Sequence, residues 1–218
     1  MLTLTIYISF TIIIIALIAG VTIYFRRNSE LYLRLFPFYM LLTVVVGGYI
    51  TYLSFHGKDN TTLFNFYTTV GFCFYFFVIA QIIHNRKIKK IIFYILFIYP
   101  IVAVCNIFIV QKINILLSVS YSLGCLLIAV FCVYYFLELF QLTNSINLLR
   151  QPSFWICSGL LFYYSCSFPL FGLIGFLKSP PKIIANNLEI ISNILDCCLY
   201  SSFTIAFLCR IKIRKSIL

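Results

Sequence analysis

The chain has 218 residues, of which 63% are hydrophobic and only 10% charged, with a formal net charge of +11. A soluble domain is roughly 45–50% apolar and about 25% charged. This composition leaves too little polar surface to keep a water-soluble fold dissolved, and it predicts a polytopic membrane protein. The basic excess does not point to nucleic acid, because the Lys and Arg residues cluster at the ends of apolar runs, where membrane orientation and anionic lipid place them.

A helix needs about 20 apolar residues to cross the hydrocarbon. Seven stretches qualify, at about 4–25, 36–55, 63–83, 91–110, 115–137, 154–176 and 188–209. Many are rich in Ile, Val, Phe and Tyr, which favour strands in water. In lipid a helix satisfies its own backbone groups and an open strand does not, and no segment shows the alternating polarity of a barrel strand. The predicted fold is therefore all-α, a bundle of seven transmembrane helices forming one domain over residues 1–218. The longest connection, from Glu138 to Ser153, holds no soluble domain.

The first span has no basic segment before it and no small-residue cleavage site after it, so it is expected to be an uncleaved span rather than a signal peptide. Arg26, Arg27 and Arg34 follow it. Arg86, Lys87, Lys89 and Lys90 fall in the third connection, Arg150 in the fifth, and Arg210, Lys212, Arg214 and Lys215 at the end of the chain. These twelve of sixteen basic residues share one side. Lys58, Lys112, Lys178 and Lys182 share the other. By the positive-inside rule the N-terminus is outside and the C-terminus cytoplasmic. The basic connections then face either anionic lipid or an acidic cytoplasmic partner, and Glu138 is expected to be neutralised by the third of them. Trp155 and Tyr24 fall near the cytoplasmic helix ends, where amphipathic rings anchor.

Familiar catalytic chemistry is missing. His56 and His84 lie on opposite sides of the membrane and cannot share a metal ion. There is no C-x-x-C pair, no phosphate-binding glycine loop, no nucleophile elbow and no paired-His zinc motif. Cys73, Cys105, Cys125, Cys132, Cys157, Cys166 and Cys197 read as small apolar residues within helices. Cys198 points to another face, and Cys209 lies at the cytoplasmic boundary, a position compatible with palmitoylation. Gly47 and Gly48 read as a packing device. Small-residue stripes on helix five (Ser118, Ser122, Cys125, Ala129, Cys132) and helix six (Ser158, Ser165, Pro169, Gly172) read as close-packing seams. Pro100 and Pro169 are expected to bend their helices. No cofactor or metal is expected.

Of the five acids, two lie on the seventh helix. At 100° per residue Glu189, Asn193, Asp196, Tyr200 and Thr204 fall within an arc of about 80°. Asp196 lies about 12 Å inside the span. A carboxylate at that depth costs several kcal/mol unless it is paired, hydrated or neutral, so it should face the bundle interior. One reading is a ligand, ion or proton site comprising Asp196, Asn193, Glu189 and Tyr200, with Asn65 and Asn106 adding polarity on the outer side. The other is a protonated Asp hydrogen-bonded to a neighbouring helix as packing glue.

The middle of the chain carries a resemblance. Phe64-Asn65-Phe66-Tyr67-Thr68-Thr69, Phe72-Cys73-Phe74-Tyr75 and Asn85-Arg86-Lys87-Ile88-Lys89-Lys90 are similar to segments of uncharacterised seven-helix membrane proteins found mainly in Bacteroidetes-type bacteria. So are Phe131-Cys132-Val133-Tyr134-Tyr135-Phe136 and Leu149-Arg150-Gln151-Pro152-Ser153-Phe154-Trp155-Ile156. The likeness covers roughly residues 60–175, and similar segments precede histidine-kinase modules as membrane input domains. In that group an acid precedes the Phe-x-Phe-Tyr stretch. Gly71 stands there in this chain, so no role of that acid carries over. The resemblance implies a bacterial inner-membrane setting and a part in signal transduction.

Three functions fit these expectations. The first is a sensory or accessory signalling module without its own output domain, binding a small ligand or lipid near Asp196 and contacting a cytoplasmic partner. The second is a small transporter or channel, with homo-oligomers allowed, using Asp196 as an ion or proton site. The third is an intramembrane enzyme, for which no second catalytic group is visible.

Overall fold

The computed structural model describes residues 2–25, 30–109, 117–141, 148–176 and 182–212. They form seven α-helices: α1 (Leu2–Val21), α2 (Leu31–Phe55), α3 (Thr61–Ile82), α4 (Arg86–Ile109), α5 (Ser118–Gln141), α6 (Pro152–Phe176) and α7 (Lys182–Lys212). Among the described residues there is no strand. All seven helices are long and apolar enough to cross a membrane, as a multi-pass membrane protein requires.

Several helices outrun the expected spans. α2 starts at Leu31 rather than 36 and so takes Arg34 into the helix, while α5 runs to Gln141 and so holds Glu138 within it. α4 starts at Arg86, which puts Arg86, Lys87, Lys89 and Lys90 in its opening turns. α7 covers 31 residues. Hydropathy marks where the oil ends, but backbone hydrogen bonds continue through the headgroup zone. Pro152 opens α6, where its missing N–H costs nothing. Arg26, Arg27, Lys112, Lys178, Arg214 and Lys215 lie outside the described residues.

The helices close into a ring in the order α1, α2, α3, α5, α6, α7 and back to α1, with α4 set outside against α3 and α5. α4 accordingly buries the least of any span and turns Tyr94, Phe97, Ile101 and Phe108 outward. Aromatic rings fill the centre. Phe36 of α2 meets Phe74, Phe203 and Phe207 at 5.2, 5.1 and 5.6 Å, and Phe72 of α3 meets Tyr99, Tyr121 and Tyr164 at 5.3, 5.4 and 5.3 Å. Such pairs add about 0.5–1.5 kcal/mol each beyond the area they bury.

Close approaches occur where a side chain is missing. A Cβ on Gly124 would lie 2.7 Å from the Phe72 ring, and one on Gly159 would lie 2.8 Å from Ser202 Cβ of α7. Gly47 and Gly48 would meet only Phe10, at 3.9 and 4.0 Å, so they are not the tight contacts that their pairing led us to expect. The α5 stripe does face inward, with Ser118, Ser122, Cys125 and Cys132 buried. The α6 stripe does so only in part: Gly172 is buried, where a Cβ would lie 3.1 Å from Ser122 Oγ, but Ser165 and Pro169 are exposed, and α6 mainly buries Ile156, Cys157, Leu160 and Tyr164. In lipid a small residue carries no signal of which way it faces.

Candidate functional site

The middle of the ring is not filled to one end. A cavity of about 230 Å³ reaches from Thr51 and Phe64, near the α2–α3 end, down to Tyr39, Tyr75 and Tyr164 at mid-depth. α1, α2, α3, α5, α6 and α7 all contribute to its wall. It exists because a row of hydroxyl-bearing side chains faces inward at this level, where the other half of the bundle places Phe36, Phe76, Ile79, Ile156 and Phe207 with almost no exposure.

Asp196, close to the middle of α7, lines this cavity together with Asn193 and Tyr200. Protein atoms surround the Asp196 carboxyl, and the residue as a whole is half-buried where it borders the cavity. Its facing partner is the Tyr163 hydroxyl of α6, and Tyr67, Tyr121 and Tyr200 lie within electrostatic reach. Among the described residues no Lys, Arg or His lines the cavity. The carboxyl is therefore met by hydroxyls and rings, with no cation to balance it.

The surrounding hydroxyls are ordered. Tyr67 of α3 donates to Thr43 Oγ1 of α2 at 3.0 Å, and Thr43 in turn donates to the Tyr39 carbonyl at 2.9 Å. Thr51 and Thr68 donate to carbonyls of their own helices, Gly47 and Phe64, each at 2.9 Å. Their hydrogens are thus engaged, and their remaining lone pairs add acceptors to a wall otherwise lined by tyrosine hydroxyls. On the α1 side the Ser9 hydroxyl donates to the Asn193 carbonyl at 3.3 Å and lies 3.6 Å from Cys197 Sγ, which ties α1 to α7 at the level of the site. Gly71 is required at the floor: a Cβ there would sit 2.8 Å from the Tyr39 hydroxyl.

The remaining residues of the expected site lie elsewhere. Glu189 is exposed on α7 and does not line the cavity. Thr204 donates to the Tyr200 carbonyl at 2.8 Å and so turns back on its own helix. Asn65 is buried on α3, where its Oδ1 accepts the Leu117 N–H at 3.2 Å just ahead of α5, and it borders a separate, mainly apolar recess of about 700 Å³ between α3 and α4. Asn106 is buried near the end of α4 and donates to Ser120 Oγ at 2.8 Å. Both asparagines bind the start of α5 to its neighbours.

Composition alone did not single out the tyrosines. With 16 Tyr and 24 Phe in the chain, aromatic residues look like background. The missed signal was depth: Tyr163, Tyr164 and Tyr200 fall well inside their spans, not at the interface, and a phenol in hydrocarbon needs a partner.

At the opposite end a third recess, of about 390 Å³, is bordered by Glu30, Gln81, His84, Glu138 and Gln151. Here Glu138 accepts the backbone N–H groups of His84 (3.1 Å) and Asn85 (2.8 Å), and its Oε2 lies 4.0 Å from His84 Nδ1. The third connection does meet Glu138, but through peptide groups: no Lys or Arg lies within ion-pair distance of it among the described residues. Among the described residues no group of three or more His, Cys, Asp or Glu is placed to hold a metal ion. Comparison with protein-family models, curated proteins and solved structures gives no match to this chain.

Proposed function

We propose that this chain is a sensory module of a bacterial inner membrane, with its N-terminus outside, that binds a small polar ligand in the Asp196 cavity. The observation that carries this reading is a carboxyl in the middle of α7 that borders a cavity and, among the described residues, is opposed by no basic side chain. A polar residue kept only as packing glue is sealed between helices. One that borders open space is available to something else, and the several kcal/mol it costs is offset when that ligand binds.

The cavity wall draws on six helices, so a ligand that prefers one packing of the ring shifts α7 and α3 together. Both lead away from the site toward the end that holds Arg86, Lys87, Lys89 and Lys90 on α4 and Arg210 and Lys212 on α7. That end is read as cytoplasmic, and the basic residues there hold anionic lipid or an acidic signalling partner. The resemblance to kinase input segments supports the same direction of signalling.

Two measurements test this reading. Asp196→Asn and Asp196→Leu should leave the thermal midpoint of the detergent-solubilised protein unchanged or raise it, because a residue kept for function costs stability. A fall of more than about 1 kcal/mol in both variants would make Asp196 a structural group and end the proposal. Crosslinking in native membranes should recover a signalling protein, and its yield should change with Asp196→Asn.

A transporter is the second reading, and the recess between Glu30 and Glu138 is the observation in its favour, since it gives the bundle a polar pocket at each end. Proteoliposome flux abolished by Asp196→Asn, with no partner crosslinked, would select it.

A further inference from the structure

Building on the reading of the Asp196 cavity as a ligand site, we infer that its ligand is a small primary organic ammonium ion, held by the Asp196 carboxylate and a ring of tyrosine and threonine oxygens. Charge is the first argument. Among the described residues Asp196 supplies the only formal charge on the cavity wall. At this depth electrostatic interactions are weakly screened, so an anionic ligand is repelled, whereas a cation pairs with the carboxylate and holds it in its charged form.

The wall itself separates an organic cation from a bare inorganic one. A hard metal ion replaces its water with a shell of six or more oxygens, several of them carboxylate or carbonyl. This wall offers one carboxylate, and most of the backbone carbonyls around it are engaged within helices. It does offer aromatic rings, since Tyr67, Tyr163 and Tyr200 line the cavity together with Asp196. Aromatic faces with a carboxylate suit a cation attached to carbon, through the attraction of positive charge to the π-face.

Hydrogen-bond polarity then selects among ammonium ions. Thr51 and Thr68 have committed their hydrogens to helix carbonyls, and Thr43 has committed its own to Tyr39 while accepting from Tyr67. These threonine oxygens offer lone pairs to the cavity, and the tyrosine hydroxyls that line it accept as well as donate. A primary ammonium brings three N–H donors to such a wall, whereas a quaternary one brings none. The apolar remainder of the ligand would lie toward Phe10, Ile13, Ile50 and Phe171. At about 230 Å³ the space is below the range of drug-sized pockets and suits an amine carrying one short chain or one ring.

The test uses the full chain in lipid nanodiscs, with thermal unfolding followed against 2-phenylethylamine, its neutral counterpart 2-phenylethanol, phenylacetate and sodium chloride. The amine should raise the midpoint saturably, and the other three should not at equal concentration and ionic strength. Asp196→Asn should weaken the amine at least tenfold, whereas Glu189→Gln, on the exposed face of the same helix, should leave it unchanged. Equal stabilisation by the alcohol, stabilisation by sodium alone, or an amine effect untouched by Asp196→Asn would overturn the ammonium assignment. An alcohol or acid effect that disappears in Asp196→Asn would overturn it while keeping the cavity as a ligand site. Silence from every probe, together with a destabilised Asp196→Leu, would remove both.

Discussion

The Glu138 carboxylate near the end of α5 accepts the backbone N–H of Asn85, 2.8 Å away, at the point where α3 turns into α4. The same carboxylate accepts the His84 N–H, while Asn85 accepts the Lys87 N–H through its own side chain at 3.0 Å and donates to Tyr134 at 2.9 Å. An acid at this place does the work of a helix cap from another helix. It satisfies peptide groups of a tight corner and sets negative charge at the positive end of α4.

Removing that carboxylate should loosen the corner. Glu138→Ala is expected to cost about 0.5–2 kcal/mol, the usual range for a lost N-terminal cap. Glu138→Gln keeps one acceptor and should cost less. Amide hydrogen exchange at His84 and Asn85, read with the thermal midpoint, checks this. Unchanged protection in Glu138→Ala would show that the corner holds without it.

Gly124 and Gly47 should respond in opposite directions to the same change. Gly124→Ala places a methyl group 2.7 Å from Phe72, within a cluster of three other rings, and should destabilise by about 1–3 kcal/mol. Gly47→Ala meets only Phe10 at 3.9 Å, so the helix preference for Ala should win and stabilise by up to about 1 kcal/mol. Equal effects in a thermal or denaturant series would contradict the packing described for α3 against α5.

Asn65 is expected to matter for folding and not for the cavity. Asn65→Ala leaves the buried Leu117 N–H without that acceptor, a loss of about 1–3 kcal/mol. Amine binding at Asp196 should stay within twofold of the parent once the protein is folded. A selective loss of binding with no change in midpoint would move Asn65 into the site.

Acid should act at the start of α3. The Thr61 hydroxyl and its backbone N–H, at 2.9 Å, hold the Asp59 carboxyl below the usual carboxylate range. A lowered folded value means that the contribution is complete above the unfolded value of about 3.9 and is lost as pH falls through the folded one. Protection of the Thr61 amide, corrected for intrinsic exchange, should therefore be flat from neutral pH to about 5 and drop below it. Asp59→Asn keeps an acceptor and should remove the pH dependence. A dependence that survives in Asp59→Asn would place its origin elsewhere.

Much of this was legible along the chain, for identifiable reasons. Asp196 announced itself because an acid in mid-span has no cheap explanation. The stripe Asn193–Asp196–Tyr200 followed from helical geometry alone, and those three residues do border one cavity. Glu189 and Thr204 lie on the same arc but leave it, Glu189 by its exposure and Thr204 by bonding to its own helix. Asn65 and Asn106 looked like outer-cavity groups because depth was all the sequence offered about them. Their partners, Leu117 and Ser120, belong to a third helix whose position no local pattern records.

The amino-acid sequence by itself determined that seven helices must form. In lipid every peptide group has to be satisfied within its own segment, and that is a local property. It also placed Arg34, Arg86 and Arg150 at helix ends, because charge avoids hydrocarbon. Which helix meets which, and what faces the one deep carboxyl, was left open. Lipid tails are as apolar as Leu, Ile and Phe, so the hydrophobic pattern that orients a helix in water has no counterpart here. Only the tertiary structure decided that α4 stands outside the ring, that Glu138 caps a corner, and that Tyr67, Tyr163 and Tyr200 converge on Asp196.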